Sequence, residues 1–209
     1  MIVKVGIVDY AISNLASVAN ALRRIGAEPV LVRSAIELEA ITHLVLPGVG
    51  NFAKGIENLR SAGLIEPLRE WAASGRPLLG LCLGMQLLAE EGEEYGPNAG
   101  LGLIPGKVVK MTLGQPELRL PHIGWNEVEI RGESRLARGL DASPIFYFIH
   151  SYCYHDAAAD YVSGVCEYDG RQVAMVEQGN IFGVQFHPEK SQKSGLKLLA
   201  NFVAIQTDA

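Results

Sequence analysis

Hydrophobic positions in the first ninety residues switch between two periods in regular alternation. Ile2 to Val8 is a near-continuous apolar run, the mark of a central parallel strand covered on both faces. From Ser13 to Ile25, Leu15, Val18, Ala19, Leu22 and Ile25 recur every three or four residues, which predicts a helix, and Gly26 stands where its C-cap belongs. Pro29 to Val32 reads as a second strand. Ser34 and Glu37 then match a capping box opening another helix. His43 to Leu46 is the third strand, and it runs into Pro47-Gly48-Val49-Gly50. Helical spacing returns over Phe52 to Ser61 and Leu64 to Ala73, and a further apolar strand leads to Cys82. Met85, Leu88 and Ala89 follow at helical spacing.

This alternation predicts an α/β fold: one domain over residues 1–209, with a doubly wound, mostly parallel sheet and helices on both faces. Past Glu90 to Glu94, which read as a solvated helix end, the pattern changes. Gly96 to Gly106 is rich in Gly and Pro, and later segments alternate like antiparallel strands, predicting an antiparallel extension of the sheet. Val108 to Met111, Asn126 to Ile130, Pro144 to His155, Tyr161 to Glu167, Val173 to Val176 and Ile181 to Phe186 are its strands. Pro121 to Asn126 reads as a connecting segment, in which Trp125 is either a docking residue or part of the core. Asp169-Gly170 and Gly179-Asn180 supply turns, and Ser191 begins a terminal helix through Leu199 and Phe202.

Composition narrows the function. With 48% hydrophobic residues the chain can bury a full core, and a net charge of -5 offers no basic field for nucleic acid. The three cysteines, Cys82, Cys153 and Cys166, form an odd set that fits free thiols in a reducing cytoplasm. No leader and no membrane-length apolar run is seen. His150, Cys153 and His155 suggest metal ligands at first sight. Strand periodicity sets His150 opposite the other two, and no fourth ligand stands at zinc spacing, so no metal is expected.

The chemistry begins at Gly80-Leu81-Cys82-Leu83-Gly84. Cysteine in an apolar run is commonly an inert core residue. Here a glycine on each side gives the G-x-[nucleophile]-x-G form of a nucleophile elbow, with the thiol at a strand-to-helix turn. The helix N-terminus favours the reactive thiolate, and the Leu83 N–H is a ready oxyanion donor. His187-Pro188-Glu189 also follows a strand. Alone it would pass as a surface turn, but with an elbow cysteine it supplies base and orienter. The Pro47 to Gly50 loop, whether an ordinary turn or a close-approach loop, lies like Cys82 at a strand's carboxyl end, where active sites of such sheets gather.

Gly80 to Gln86 (GLCLGMQ), Pro47 to Gly50 (PGVG) and His187 to Ser191 (HPEKS) together resemble the class I, triad-type glutamine amidotransferases over essentially the whole chain. Met85 after the elbow, Pro121 to Asn126 (PHIGWN) and Tyr147 to Tyr152 (YFIHSY) are similar to one branch of that family, the glutaminase subunits of imidazole glycerol phosphate synthase. The resemblance implies Cys82 as nucleophile, His187 as general base and then acid, and Glu189 as its orienter. It implies an oxyanion hole from Leu83 N–H and the Val49 to Gly50 peptide, and glutamine contacts from Gly50, Gln86, Glu94 and the Ser151-Tyr152 backbone. It further implies no cofactor, and a heterodimer with a (β/α)8-barrel cyclase subunit that meets Pro121, Ile123, Trp125 and Asn14. The opening motif departs from the family pattern at Ala11 and Ser13, which puts Asn14 in question. A glutaminase of anthranilate or aminodeoxychorismate synthase, a binding protein that lost activity, and a cysteine peptidase are the rival readings.

Overall fold

The structure, a computed structural model, describes residues 2–206 except Ser13 and Ala157. The opening alternation becomes β1 (Lys4–Val8), α1 (Leu15–Arg24), β2 (Glu28–Val32), β3 (His43–Gly48), α2 (Phe52–Ser61), α3 (Ile65–Ala73), β4 (Leu78–Cys82) and α4 (Leu83–Leu87). Short strands β5 (Glu91–Gly92) and β6 (Asn98–Ala99) follow, then β7 (Lys107–Lys110), β8 (His122–Glu127), β9 (Glu129–Ile130), β10 (Ile145–His150) and β11 (Tyr152–Tyr154). The chain closes with β12 (Val162–Glu167), β13 (Arg171–Gln178), β14 (Ile181–Val184) and α5 (Gln192–Val203).

An eight-stranded sheet in the order β2-β1-β3-β4-β14-β13-β12-β9 forms the centre. Its first five strands are parallel and the rest antiparallel, as the change of pattern near residue 95 predicts. Alternation along the parallel strands sends side chains to two separate cores. Leu44, Leu46 and Leu78 pack with α2, α3 and α4 through Phe52, Leu59, Leu68, Trp71 and Met85. Val5, Ile7, Val45, Leu79 and Leu81 pack on the other face with α1 and α5 through Val18, Leu22, Leu199 and Phe202. Among the described residues no helix is long and apolar enough to cross a membrane.

Several local expectations need correction. The helix that Ser34 opens carries the expected capping box but is a 3-10 helix, Ala35–Ala40: Glu37 Oε2 accepts the N–H groups of both Arg33 and Ser34, at 2.6 and 2.9 Å. Glu90 to Glu94 is no helix end. α4 stops at Leu87, and Glu91-Gly92 is a short strand paired on one side with β6 and on the other with β7. His122 to Glu127 is a strand paired along its length with β10, where a connection was expected. Pro144 to His155 is not one strand either. It breaks at Ser151, and β11 leaves for β7, so Tyr152 and Tyr154 do not continue the face of Phe146, Phe148 and His150. Ile181 to Val184 does more than close a hairpin. It pairs antiparallel with β13 and parallel with β4, with Val184 opposite Leu81. That pairing brings the end of the chain beside Cys82.

Candidate functional site

Cys82 terminates β4 and caps α4 with φ 52° and ψ -110°, a left-handed conformation that side chains rarely adopt. The flanking glycines explain how the turn is accommodated. A Cβ on Gly80 would lie 2.6 Å from the Met85 nitrogen, and one on Gly84 would meet Leu46 O at 1.7 Å. β4 and α4 therefore pack backbone to backbone around the thiol. Its Sγ is 3.8 Å from Ile149 O and 3.8 Å from the Gln185 amide nitrogen.

A cavity of about 280 Å³ opens over this sulfur. Its walls include Val49, Gly50, Cys82, Leu83, Gln86, Glu94, Ser151, Tyr152 and His187, residues drawn from distant stretches of sequence, with Pro121 and Lys190 at its margin. His187 arrives because β14 runs parallel beside β4 and ends level with it. Its Nδ1 lies 2.8 Å from Glu189 Oε1, while the buried Nε2 has no hydrogen-bond partner among the described residues. Burial works against a charged imidazole, but Cys82 and Glu189 outweigh it and push the His187 pKa up to about 10. By contrast, burial raises the Cys153 and Cys166 thiols to about 12, out of reach of nucleophilic use. Two larger clefts, lined partly by these cysteines, hold no comparable constellation.

The loop opposite Cys82 is held from behind. The buried Tyr10 hydroxyl donates to Pro47 O at 2.7 Å, and Val49 N–H donates to Ile12 O at 2.9 Å. Val49 thus borders the cavity with its own amide engaged elsewhere. Glu94 is anchored by the Phe52 N–H at 2.9 Å. Gln86, buried, donates to Tyr152 O at 2.8 Å and to Gln185 Oε1 at 3.1 Å.

Gln185 and Tyr10 were not singled out as site residues from sequence. Gln185 is fully buried two positions before His187, and period-two spacing in a strand is the signal that could have found it. Pro121, Ile123 and Trp125 lie together: Ile123 and Trp125 stand on the outer face of β8, opposite Ile149 and Tyr147 of β10. Ile123 is 56% and Trp125 48% exposed, and Ile145 and Ile149 extend the apolar face. Asn14 is exposed and caps α1, accepting from Ser17 N–H at 3.4 Å. Ser13 falls outside the described residues. Among those described, no group of three or more His, Cys, Asp and Glu side chains is arranged to hold a metal.

Comparison with known proteins agrees with this architecture. Imidazole glycerol phosphate synthase subunit HisH of Desulfitobacterium hafniense is 44% identical over 198 residues, covering 95% of this chain and 92% of that protein. The same-named subunit of Geobacillus kaustophilus is 44% identical over 207 residues, covering 97% of both. A solved structure described as a glutamine amidotransferase superposes with a TM-score of 0.75 over 96% of this chain and 99% of its own. At 23% identity that likeness speaks for the fold. The glutamine amidotransferase class-I family matches residues 6–205, and the chain belongs to that family.

Proposed function

We propose that this chain hydrolyses glutamine to glutamate and ammonia, and hands the ammonia to a cyclase subunit that makes imidazole glycerol phosphate and aminoimidazole carboxamide ribotide in histidine biosynthesis. The observation that carries the reading is Cys82, on a strained elbow, sharing one cavity wall with His187, whose far nitrogen is held by Glu189. Identity to HisH subunits over nearly the whole chain supports the choice of pathway.

In this mechanism the Cys82 sulfur attacks the side-chain carboxamide carbon of glutamine, and the new C–S bond leaves a tetrahedral oxyanion. Backbone N–H groups, Leu83 first among them, stabilise that charge. His187, held protonated by Cys82 and Glu189, gives its Nε2 proton to the amide nitrogen as the C–N bond breaks, so ammonia departs neutral. The same imidazole then takes a proton from water, which cleaves the thioester to glutamate. Gln86, Glu94, Gly50 and the Ser151-Tyr152 backbone hold the substrate.

One N–H of the Val49–Gly50 segment is turned away from this role: that of Val49 is bonded to Ile12 O. Turning the Gly48-Val49 peptide would complete the hole, and the partner's ligand would drive that turn. The outer face of β8 and β10, carrying Ile123 and Trp125 and reaching the cavity at Ile149, is where the cyclase docks and keeps ammonia from bulk water, where most of it would be protonated. Asn14 joins this contact. Mixing the chain with a cyclase subunit and measuring glutamate release with and without the ribonucleotide tests the reading. Strong stimulation is expected; absence of hydrolysis in the mixture overturns the reading, and full rate from the chain alone overturns the gating.

A further inference from the structure

Two buried histidines have no part in the chemistry above: His150 lines the cavity beside Ser151 and Tyr152, and His122 stands next to it. His122 and His150 stand opposite each other in the β8–β10 ladder, and both are almost fully buried. His122 is clamped between Phe148 and Tyr168, with ring centroids at 4.8 and 3.9 Å. The hydrogen bonds of the pair can run in one direction only. Tyr152 O can only accept, so His150 Nδ1, 3.0 Å away, carries the proton. A neutral imidazole protonated there offers a lone pair at Nε2, and His122 Nδ1, at 3.2 Å, must be the donor to it. His122 Nε2 is then an acceptor, and the Asn126 amide nitrogen faces it at 3.4 Å.

The far end fixes the same polarity independently. Asn126 Oδ1 accepts Glu127 N–H at 2.9 Å, and its Nδ2 donates to Glu167 O at 2.9 Å. Flipping the amide would set oxygen against carbonyl and N–H against N–H. A second proton on either ring would do the same at one of its contacts. Burial holds both rings neutral, with pKa values lowered to about 4.

We infer that Asn126, His122 and His150 form a one-way hydrogen-bond relay that pins the Tyr152 carbonyl, and with it the Ser151-Tyr152 main chain of the glutamine site, to the strand bearing Ile123 and Trp125. The inference rests on the glutaminase reading for the identity of the substrate. The Tyr152 carbonyl also accepts from Gln86, so a single oxygen ties the substrate loop to α4 and to the docking strand together. The two histidines are positioning residues. They set where the amino-acid end of glutamine is received.

Nitrogen-15 NMR of the wild-type chain reads the relay directly: both rings are expected as neutral Nδ1–H tautomers, and an Nε2–H or charged form of either at neutral pH overturns it. In the complex with the cyclase subunit, His150→Phe is expected to raise KM for glutamine about tenfold with kcat changed less than about threefold. His150→Asn, whose amide nitrogen falls near the Nδ1 position, should recover most of that loss. An unchanged KM in His150→Phe, or equal loss in His150→Asn, overturns the positioning role. Failure of the glutaminase reading shows differently: the wild-type complex then hydrolyses no glutamine, which removes the substrate half of the proposal while the tautomers remain as assigned.

Discussion

His187 Nδ1 sits 2.8 Å from Glu189 Oε1, and both side chains are about 4% exposed or less. In so dry a setting the carboxylate fixes the ring's tautomer and plane and keeps the imidazolium that forms during turnover from being a lone buried charge. Glu189→Gln keeps the shape and loses the charge. We expect glutamate release by the complex to fall roughly 10²- to 10⁴-fold, with the His187 pKa lowered, visible as a shifted pH profile of kcat. A variant within about twofold of wild type would remove Glu189 from the mechanism.

The elbow makes a separate demand on Gly84. A methyl group there would meet the Leu46 carbonyl oxygen at 1.7 Å, against backbone on both sides, so β3 and α4 would have to separate. Gly84→Ala is expected to destabilise the chain by more than about 2 kcal/mol, read as a lowered urea midpoint. Cys82→Gly, which relieves the φ of 52°, should be at least as stable as Cys82→Ala while both lose glutaminase activity.

The proposed gating assigns the switch to the peptide whose Val49 N–H is bonded to Ile12 O. Removing the branched side chain of Val49 lowers the barrier to turning its peptide without touching Cys82 or His187. Val49→Gly is therefore expected to raise the rate of the isolated chain several-fold and to shrink the stimulation by the cyclase, as judged by glutamate release in paired assays. A variant as idle as wild type, with stimulation intact, would dissociate this peptide from the gating.

How much of this was legible in the sequence depends on how local each feature is. The β1-to-β4 alternation follows from period alone, since strands buried on both faces and amphipathic helices each leave an unmistakable pattern. The Glu90 to Glu94 run misled because its register is set by β7, sixteen residues on, and not by its own composition. The break at Ser151 escaped notice for a similar reason: aromatic alternation continues through it while the pairing partner changes from β8 to β7. Around Cys82 the nucleophile, the PGVG loop and His-Pro-Glu were visible as motifs, whereas Gln185 and the His122–His150 pair depend on partners far away in the chain. His150 was weighed only as a metal ligand, because the bond to His122 requires knowing that β8 is a strand.

Trp125 offers a test of docking that leaves the fold alone. Its ring lies 5.7 Å from that of Tyr147 on the outer face of β8 and β10, and about half of it is exposed, so its removal opens no cavity in either core. Trp125→Ala is expected to weaken cyclase binding by about 2 kcal/mol, roughly thirtyfold in Kd, and to leave the urea midpoint of the free chain nearly unchanged. Titration calorimetry against the cyclase subunit measures the first, and the denaturation curve measures the second.

The histidines should also shape stability against pH, with opposite signs in two windows. His187 holds its proton to about pH 10 in the folded chain against an ordinary 6.5, so its stabilising contribution is whole below about 6.5 and is lost as pH rises towards 10. His122 and His150 titrate near 4 when folded, so the unfolded chain takes up their protons first, and their contribution is whole above about 6.5 and lost as pH falls to 4. Burial lowers the His43 pKa as well, which adds to the acid limb. The urea midpoint is therefore expected to peak near pH 6.5 and decline on both sides. His187→Gln should flatten the alkaline limb and His122→Phe part of the acid one; a midpoint that climbs steadily from pH 6.5 to about 9 would contradict the raised pKa of His187.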